Sequence, residues 1–436
     1  MKDAWCAADK RSFLVYLPAY VSERSGLNYS FWSKNVAKEV SHVGFSFFKP
    51  SSQDGSFSWE IYQYEATQRR FPGASSSAQN DLKGSLRELF LLKRSIRTLK
   101  VGVVLGGPGA DFSNALSTPA KINKAVSSVK NAILDYGFDF VSIDWEYPQN
   151  SIEVANLVSF VSKMRLEFDA IRNARAVQFG FNTSVTSYGK IELFMATSAK
   201  AFRNDVIGST NYQALARSVD VFHLMGYDYD ASPILYHHSN LDLPSSGDLT
   251  KQSSSRKGLT DFTNKYGVPA SQLSLSFPAY AWIQPGASGL GTRAPVNAAP
   301  KTAILYRSLV ECSTPNSSPC LNESLYDTAA ASHYVSRTSG NTLFATFDSP
   351  FAVGKKADLI DQMGMNGLSM WHIGGDVEYG SASSLVSAYV SKLGPNSHRL
   401  VRTMNWIYYA SSAFPNIATL AQSDLQTVSS DAASLK

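Results

Sequence analysis

The residues best suited to chemistry lie in one short run, Phe138-Asp139-Phe140-Val141-Ser142-Ile143-Asp144-Trp145-Glu146-Tyr147-Pro148. In an extended chain, period two puts Ser142, Asp144 and Glu146 on one face, with Phe140, Val141 and Ile143 packed nearby. Two carboxylates at the end of an apolar strand repel each other, and the repulsion pushes one pKa upward. A carboxyl that holds its proton near neutral pH is a general acid. The bland alternative makes both carboxylates surface or salt-bridging groups just past the strand. The Trp, Tyr and Pro that flank them argue against it.

Such a pair needs elements that hold it at the mouth of an apolar scaffold. Short β-rich runs alternate with longer helical patterns, the signature of a parallel sheet built from βαβ units. Eight strands are expected: Ser12 to Leu17, Val43 to Phe48, Lys100 to Leu105, Phe138 to Trp145, Ala176 to Phe181, Val219 to Tyr227, Leu273 to Pro278 and Gly367 to Trp371. Their near-continuous apolar character fits strands covered on both faces. Between them, Ile122, Val126, Val129 and Ile133 form one helical face. Ile152, Leu157, Phe160, Met164 and Phe168 form another, after a capping box of Asn150 and Glu153. The sum is an α/β fold, a (β/α)8 TIM barrel over residues 12–393, in which catalytic groups belong at the C-terminal strand ends.

The spacing breaks once, between the seventh and eighth strands. A small α+β insertion domain over residues 280–348 accounts for it. The runs Ser332 to Arg337 and Thr342 to Phe347 flank Thr-Ser-Gly-Asn, a hairpin turn signal. Residues 394–436 are Ser/Ala-rich and are expected to be a C-terminal tail or linker.

Composition narrows the classes further. Hydrophobic residues make up 44% and charged residues 17%, which excludes a disordered or coiled-coil chain. The net charge of +5 is scattered, with no basic run of the kind that tracks nucleic acid, and no stretch is long and apolar enough for a membrane span. No metal site or cofactor is expected; His237-His238 is taken as a solvated or substrate-facing pair. The first residues, Met-Lys-Asp-Ala-Trp-Cys, lack the apolar core of a signal peptide. Against that stand Asn-x-Ser/Thr sites at Asn28, Asn182, Asn316 and Asn322, and Cys312 and Cys320, which bracket a loop as a disulfide would. Cys6 is left over. Together these point to a secreted glycoprotein, with the chain a piece of a longer precursor and further domains possible at its ends.

The run around Glu146 resembles the signature of family 18 glycoside hydrolases, Asp-x-x-Asp-x-Asp-x-Glu. Asp139, Asp144 and Glu146 match, and Ser142 stands where the middle Asp is usual. Leu224-Met225-Gly226-Tyr227-Asp228 resembles the family's Met-x-Tyr-Asp, Ser369-Met370-Trp371 its eighth strand, and Gly106-Gly107 the end of Ser-x-Gly-Gly. The long insertion is similar to the chitinase insertion domain. The resemblance implies a chitinase that hydrolyses β-1,4 linkages in chitin or chito-oligosaccharides with retention, by a substrate-assisted oxazolinium route. Glu146 would be the general acid and then the base. Asp144 would hold the acetamido N–H, and Tyr227 would bond the acetamido oxygen. Trp371 would stack under the sugar and Asp228 would bind it. Met225, Tyr16, Phe47, Gly107 and Tyr280 are further candidates for the substrate site, with Trp282 and Trp59 possible at outer subsites. Asp139 and Ser142 would support the acid pair.

Two departures belong together. Val104 replaces the Ser of Ser-x-Gly-Gly and Ser142 the middle Asp, and losing both partners of a buried pair costs far less than losing one. Tyr16 could reach the Ser142 hydroxyl. Without a second buried carboxylate beneath it, Asp144 is expected to ionise more readily than with one, and to keep Glu146 protonated to higher pH. The departures also admit a chitin-binding module with weak turnover, such as a toxin or adhesin subunit. An endo-β-N-acetylglucosaminidase acting on N-glycans would share the mechanism.

Overall fold

In the computed structural model the described residues are 10–24, 36–59, 80–229, 234–244, 253–287, 289–312 and 318–435. Cys6, Asn28 and Asn316 lie outside them. The apolar runs form strands β1 (Ser12–Pro18), β2 (His42–Pro50), β3 (Phe57–Ser58), β4 (Lys100–Gly106), β5 (Phe140–Asp144), β6 (Glu192–Ser198), β7 (Val221–Met225) and β8 (Leu273–Pro278). There follow β9 (Tyr280–Pro285), β10 (Thr302–Leu305), β11 (Leu325–Asp327), β12 (Ser332–Arg337), β13 (Leu343–Phe347) and β14 (Gly367–Trp371). The larger sheet runs β1-β14-β8-β7-β6-β5-β4-β2, and a further β1–β2 pairing closes it. Helices alternate with these strands, so the fold is a (β/α)8 barrel. The chain divides into two compact units, one of residues up to Thr197 with Val206–Phe222 and Leu400 onward, the other of Ser198–Asp205 with His223–Arg399.

In the first unit one strand is displaced from its expected place. Residues 176–181 are not a strand: the helix Ser151–Phe179 runs through them and ends at Gly180, whose φ of 72° caps it. The apolar residues there have another task, since the rings of Phe179 and Phe181 pack on Trp406 at 5.3 and 6.4 Å. The true strand, β6, hides behind its charged first residue, Glu192, which is fully buried. Glu192 Oε2 lies 2.8 Å from His42 Nε2, and its Oε1 bonds Lys100. Burial works to raise the Glu192 pKa, but Lys100 and His42 outweigh it and hold the carboxylate below its usual range. Ile152, expected on the buried face of its helix, is 72% exposed. The Asn150 cap is present, its Oδ1 accepting from the Ile152 and Glu153 amides.

Residues 394–436 are neither tail nor linker in form. They carry helices Pro415–Ser423 and Leu425–Ala433 and bury Trp406, Ile407, Tyr409 and Asn405. Asn405 Nδ2 donates to the carbonyls of Lys93 and Leu99 at 2.8 and 2.6 Å, and the Tyr409 hydroxyl donates to that of Phe138 at 2.8 Å. These bonds close the N-terminal ends of β4 and β5, the end of the barrel opposite the catalytic mouth.

In the second unit a five-stranded antiparallel sheet, ordered β10-β9-β13-β12-β11, forms between β8 and β14 and fits an insertion domain. Hairpin β12–β13 pairs Arg337 with Leu343 across the turn, where Gly340 takes a φ of 68°. Cys312 and Cys320 are bonded, with Cα atoms 5.2 Å apart. No helix among the described residues is long and apolar enough to cross a membrane.

Candidate active site

At the end of β5 the side chains alternate as period two requires. Trp145 turns to the helical layer and stacks on Phe112 with centroids 5.1 Å apart and planes 14° apart, and Phe112 meets Phe57 at 5.9 Å. Such aromatic contacts contribute about 0.5–1.5 kcal/mol each and fix the strand's facing. Asp144 and Ser142 are buried, and Glu146 is half-buried. The carboxylates are thus graded, one deep and one nearer solvent.

Beneath Asp144 the two departures meet. Val104 of β4 is the register partner of Ser142, so a methyl-bearing side chain fills the place beside the hydroxyl. Gly44 of β2 leaves room for both Val104 and Tyr16, which would lie 3.1 and 3.5 Å from a Cβ there. Burial and then the Asp144 charge push the Tyr16 hydroxyl well up, so it is neutral and able to donate. Ser142 is the polar neighbour that works to lower the Tyr16 pKa. Asp144 Oδ1 is buried and accepts no hydrogen bond from any described residue. Burial first, and the Glu146 charge second, hold the Asp144 carboxyl well above the usual range, while Lys49 works against them. With Ser142 below it Asp144 has no second buried carboxylate beneath, yet burial and Glu146 hold it up.

The backbone around Asp144 depends on Gly106 and Gly107, and a Cβ on Gly106 would run into the Asp144 carbonyl. The Gly107 amide donates to the Asp144 carbonyl at 2.9 Å. Gly107 has φ 82°, and a Cβ there would sit 2.5 Å from the Phe47 ring, so only glycine lets Phe47 close over this point. Lys49 Nζ lies 5.0 Å from the Phe47 centroid and 3.4 Å from the Pro108 carbonyl. Sequence reasoning missed Lys49, because a lone Lys after an apolar strand carries no pattern.

The second unit holds the other group. Met225, 8% exposed, ends β7, and Gly226 follows, where a Cβ would meet Leu275 at 2.6 Å and the Ser276 carbonyl at 2.7 Å. Next come Tyr227, half-buried, and Asp228, whose side chain is 50% exposed and whose φ is 57°. Tyr227 meets the Tyr280 ring edge-on at 6.0 Å. Asp228 Oδ1 accepts from the Tyr280 hydroxyl at 2.7 Å and from Trp282 Nε1 at 2.6 Å, and His238 Nδ1 is 3.6 Å away. Partial burial works to raise this carboxyl, but His238, Trp282 and Tyr280 outweigh it and bring it down to about 2. Trp371, at the end of β14, is half-buried, and its carbonyl accepts from the Ala279 amide at 2.7 Å. Ser46–Phe47, within β2, and Glu146–Tyr147 and Trp371–His372, at or just past the ends of β5 and β14, are cis peptides.

Several expected residues lie elsewhere. Asp139 precedes β5, at the far end of the strand from Asp144. It accepts from Lys93 Nζ at 2.7 Å and from the amides of Val101 and Trp406 at 3.0 and 3.2 Å, so it anchors the barrel base. Trp59 is core, buried against Phe45, Phe48 and Tyr136. His237 and His238 are buried rather than solvated, and His237 Nε2 lies 3.1 Å from Asp327. Among the described residues no three His, Cys, Asp or Glu side chains gather as a metal site.

Comparison with known proteins agrees with the fold. The chain is 24% identical over 422 residues to Endochitinase 1 of Metarhizium robertsii, covering 91% of this chain and 90% of that one. It is 25% identical over 392 residues to Chitinase 1 of Aphanocladium album, covering 87% and 85%. The catalytic domain of psychrophilic chitinase B from Arthrobacter TAD20 shares the fold, with a TM-score of 0.71 at 21% identity over 92% of this chain and 99% of that one. So does the chitinase-like agglutinin of Robinia pseudoacacia, at 0.66 and 18% over 87% and 99%. The sequence model of glycosyl hydrolases family 18 matches residues 12–376, a span that holds Asp144, Glu146, Tyr227 and Trp371, and the chain belongs to that family.

Proposed function

We propose that the chain hydrolyses β-1,4 linkages of chitin or chito-oligosaccharides with retention, with Glu146 as general acid and base and the substrate's 2-acetamido group as nucleophile. The observation that carries this reading is Asp144 Oδ1, a buried acceptor without a hydrogen bond from any described residue, one strand period below Glu146. A buried unmade hydrogen bond costs about 1–3 kcal/mol. An acetamido N–H supplied by the substrate would offset that cost.

The acid–base work then follows from the coupling of two carboxyls. Their repulsion lets the pair hold one proton over a wide pH range, and burial draws that proton toward Asp144. An N–H donor at Asp144 favours its charged form. Substrate binding therefore shifts the proton to Glu146, which delivers it to the glycosidic oxygen. The Asp144 charge then offsets the positive oxazolinium ring, and Glu146, now a carboxylate, takes a proton from the attacking water. Tyr227 would orient the acetamido oxygen, and Trp371 would stack on the sugar face. Exposed sequons at Asn182 and Asn322 and the Cys312–Cys320 bond support a secreted protein.

Ser142 and Val104 favour one second reading, chitin binding with weak turnover, because the buried group beneath Asp144 cannot share its proton. Chitohexaose digestion followed by proton NMR separates the two. The hydrolytic reading predicts first-formed products with the β-anomer and no cleavage of cellohexaose, which has no acetamido group. Initial α-anomer, or equal cleavage of both sugars, contradicts the mechanism; binding without products selects the second reading.

A further inference from the structure

We propose that His238 is a positioning residue for the sugar-binding carboxylate: it holds Asp228 Oδ1 in place so that Oδ2 is presented to a sugar hydroxyl. This rests on the chitin-hydrolase reading, in which Asp228 contacts substrate. Oδ1 has two neutral donors, Tyr280 and Trp282, both from β9. His238 Nδ1, 3.6 Å away, is a third nitrogen or oxygen donor group facing the same oxygen. Asp228 itself is half-exposed and sits at φ 57°, a backbone setting that concentrates at functional positions.

The imidazole is fixed from several sides. It is fully buried and lies 5.2 Å from the Tyr280 ring centroid. Its own amide donates to Thr346 Oγ1 of β13 at 3.2 Å, and its carbonyl accepts from Tyr229 at 3.0 Å. Neither ring nitrogen makes a hydrogen bond of normal length with a described residue. A buried imidazole used only for packing would leave two polar atoms unmet, which folded proteins avoid. Among the described residues His237 pairs with Asp327, and Lys356 pairs with Asp348, which also accepts from Ser239. Asp228 is the carboxylate that the His238 ring faces, at 3.6 Å.

The test compares His238→Asn, which keeps a side-chain N–H, with His238→Leu, which does not. Three quantities are measured: KM and kcat on a fluorogenic chito-oligosaccharide, the Kd of chitotetraose in the Glu146→Gln background, and the melting temperature. The expected result is a rise of about tenfold in KM and Kd for Leu, a smaller rise for Asn, and a much smaller change in kcat. In an Asp228→Asn background the two variants should lose their difference in Kd. Equal Kd in wild type and both variants overturns the proposal, and so does a Leu–Asn difference that persists without Asp228. Should Leu fail to fold, Asn with and without Asp228 decides alone. Binding without turnover by wild type would sink the hydrolytic reading and leave the Kd comparison to judge His238; no binding at all overturns both.

Discussion

Replacing Lys49 by Met removes the cation that works against the rise in the Asp144 pKa while leaving both carboxylates in place. Lys49 Nζ reaches the Pro108 carbonyl at 3.4 Å, and the neighbouring Gly107 amide bonds the Asp144 carbonyl. Taking about 8 Å between the charges, two peptide spans, the Coulomb term is about 0.5 kcal/mol at the dielectric of water and about 2 kcal/mol at an effective value near 20. The sign is fixed. The pair must carry one negative charge to offset the oxazolinium, so activity is lost as pH falls through the pair's first macroscopic pKa. Without Lys49 that pKa rises, and the acid limb of kcat/KM moves to higher pH. The assay is a pH series on a fluorogenic chito-oligosaccharide at low and high salt, with Lys49→Arg as control. Salt should shrink the wild-type-to-Met difference, because Lys49 is partly solvated. An acid limb that stays put at low salt, or moves down, refutes the reasoning.

Other sites make distinct predictions. Lys93→Met should destabilise the fold by about 3–5 kcal/mol in urea unfolding, because Asp139 would remain buried without its cation, while kcat changes little. Gly107→Ala should lower kcat/KM at least tenfold, since a Cβ at a φ of 82° must displace Phe47; a crystal structure or activity equal to wild type would contradict this. Truncation after Leu393 should give aggregating protein, because it uncaps the barrel base that Trp406 and Tyr409 cover, and size-exclusion chromatography reads the outcome.

What could be learned from sequence follows how local each signal is. Asp144 and Glu146 were visible because period two and an apolar strand fix their facing within a few residues. Gly106-Gly107 and Tyr227-Asp228 were visible through their resemblance to family motifs at strand ends. The segment 176–181 misled because its Phe residues are apolar for the sake of Trp406, more than two hundred positions away. Strand β6 was hidden because Glu192 is tolerated inside only beside Lys100 and His42, partners from other strands. His238 stood out only as half of a His-His pair, and Lys49 gave no signal. Their meaning comes from the acids they face, and only the folded chain brings those together.

The central claim is that Glu146 delivers the proton that breaks the glycosidic bond. Incubating wild type and Glu146→Gln with chitohexaose, with products followed by mass spectrometry, tests it most directly. Glutamine keeps the shape and cannot give the proton, so wild type should yield shorter oligosaccharides and the variant should bind the hexamer uncut. Equal product from both would contradict the account.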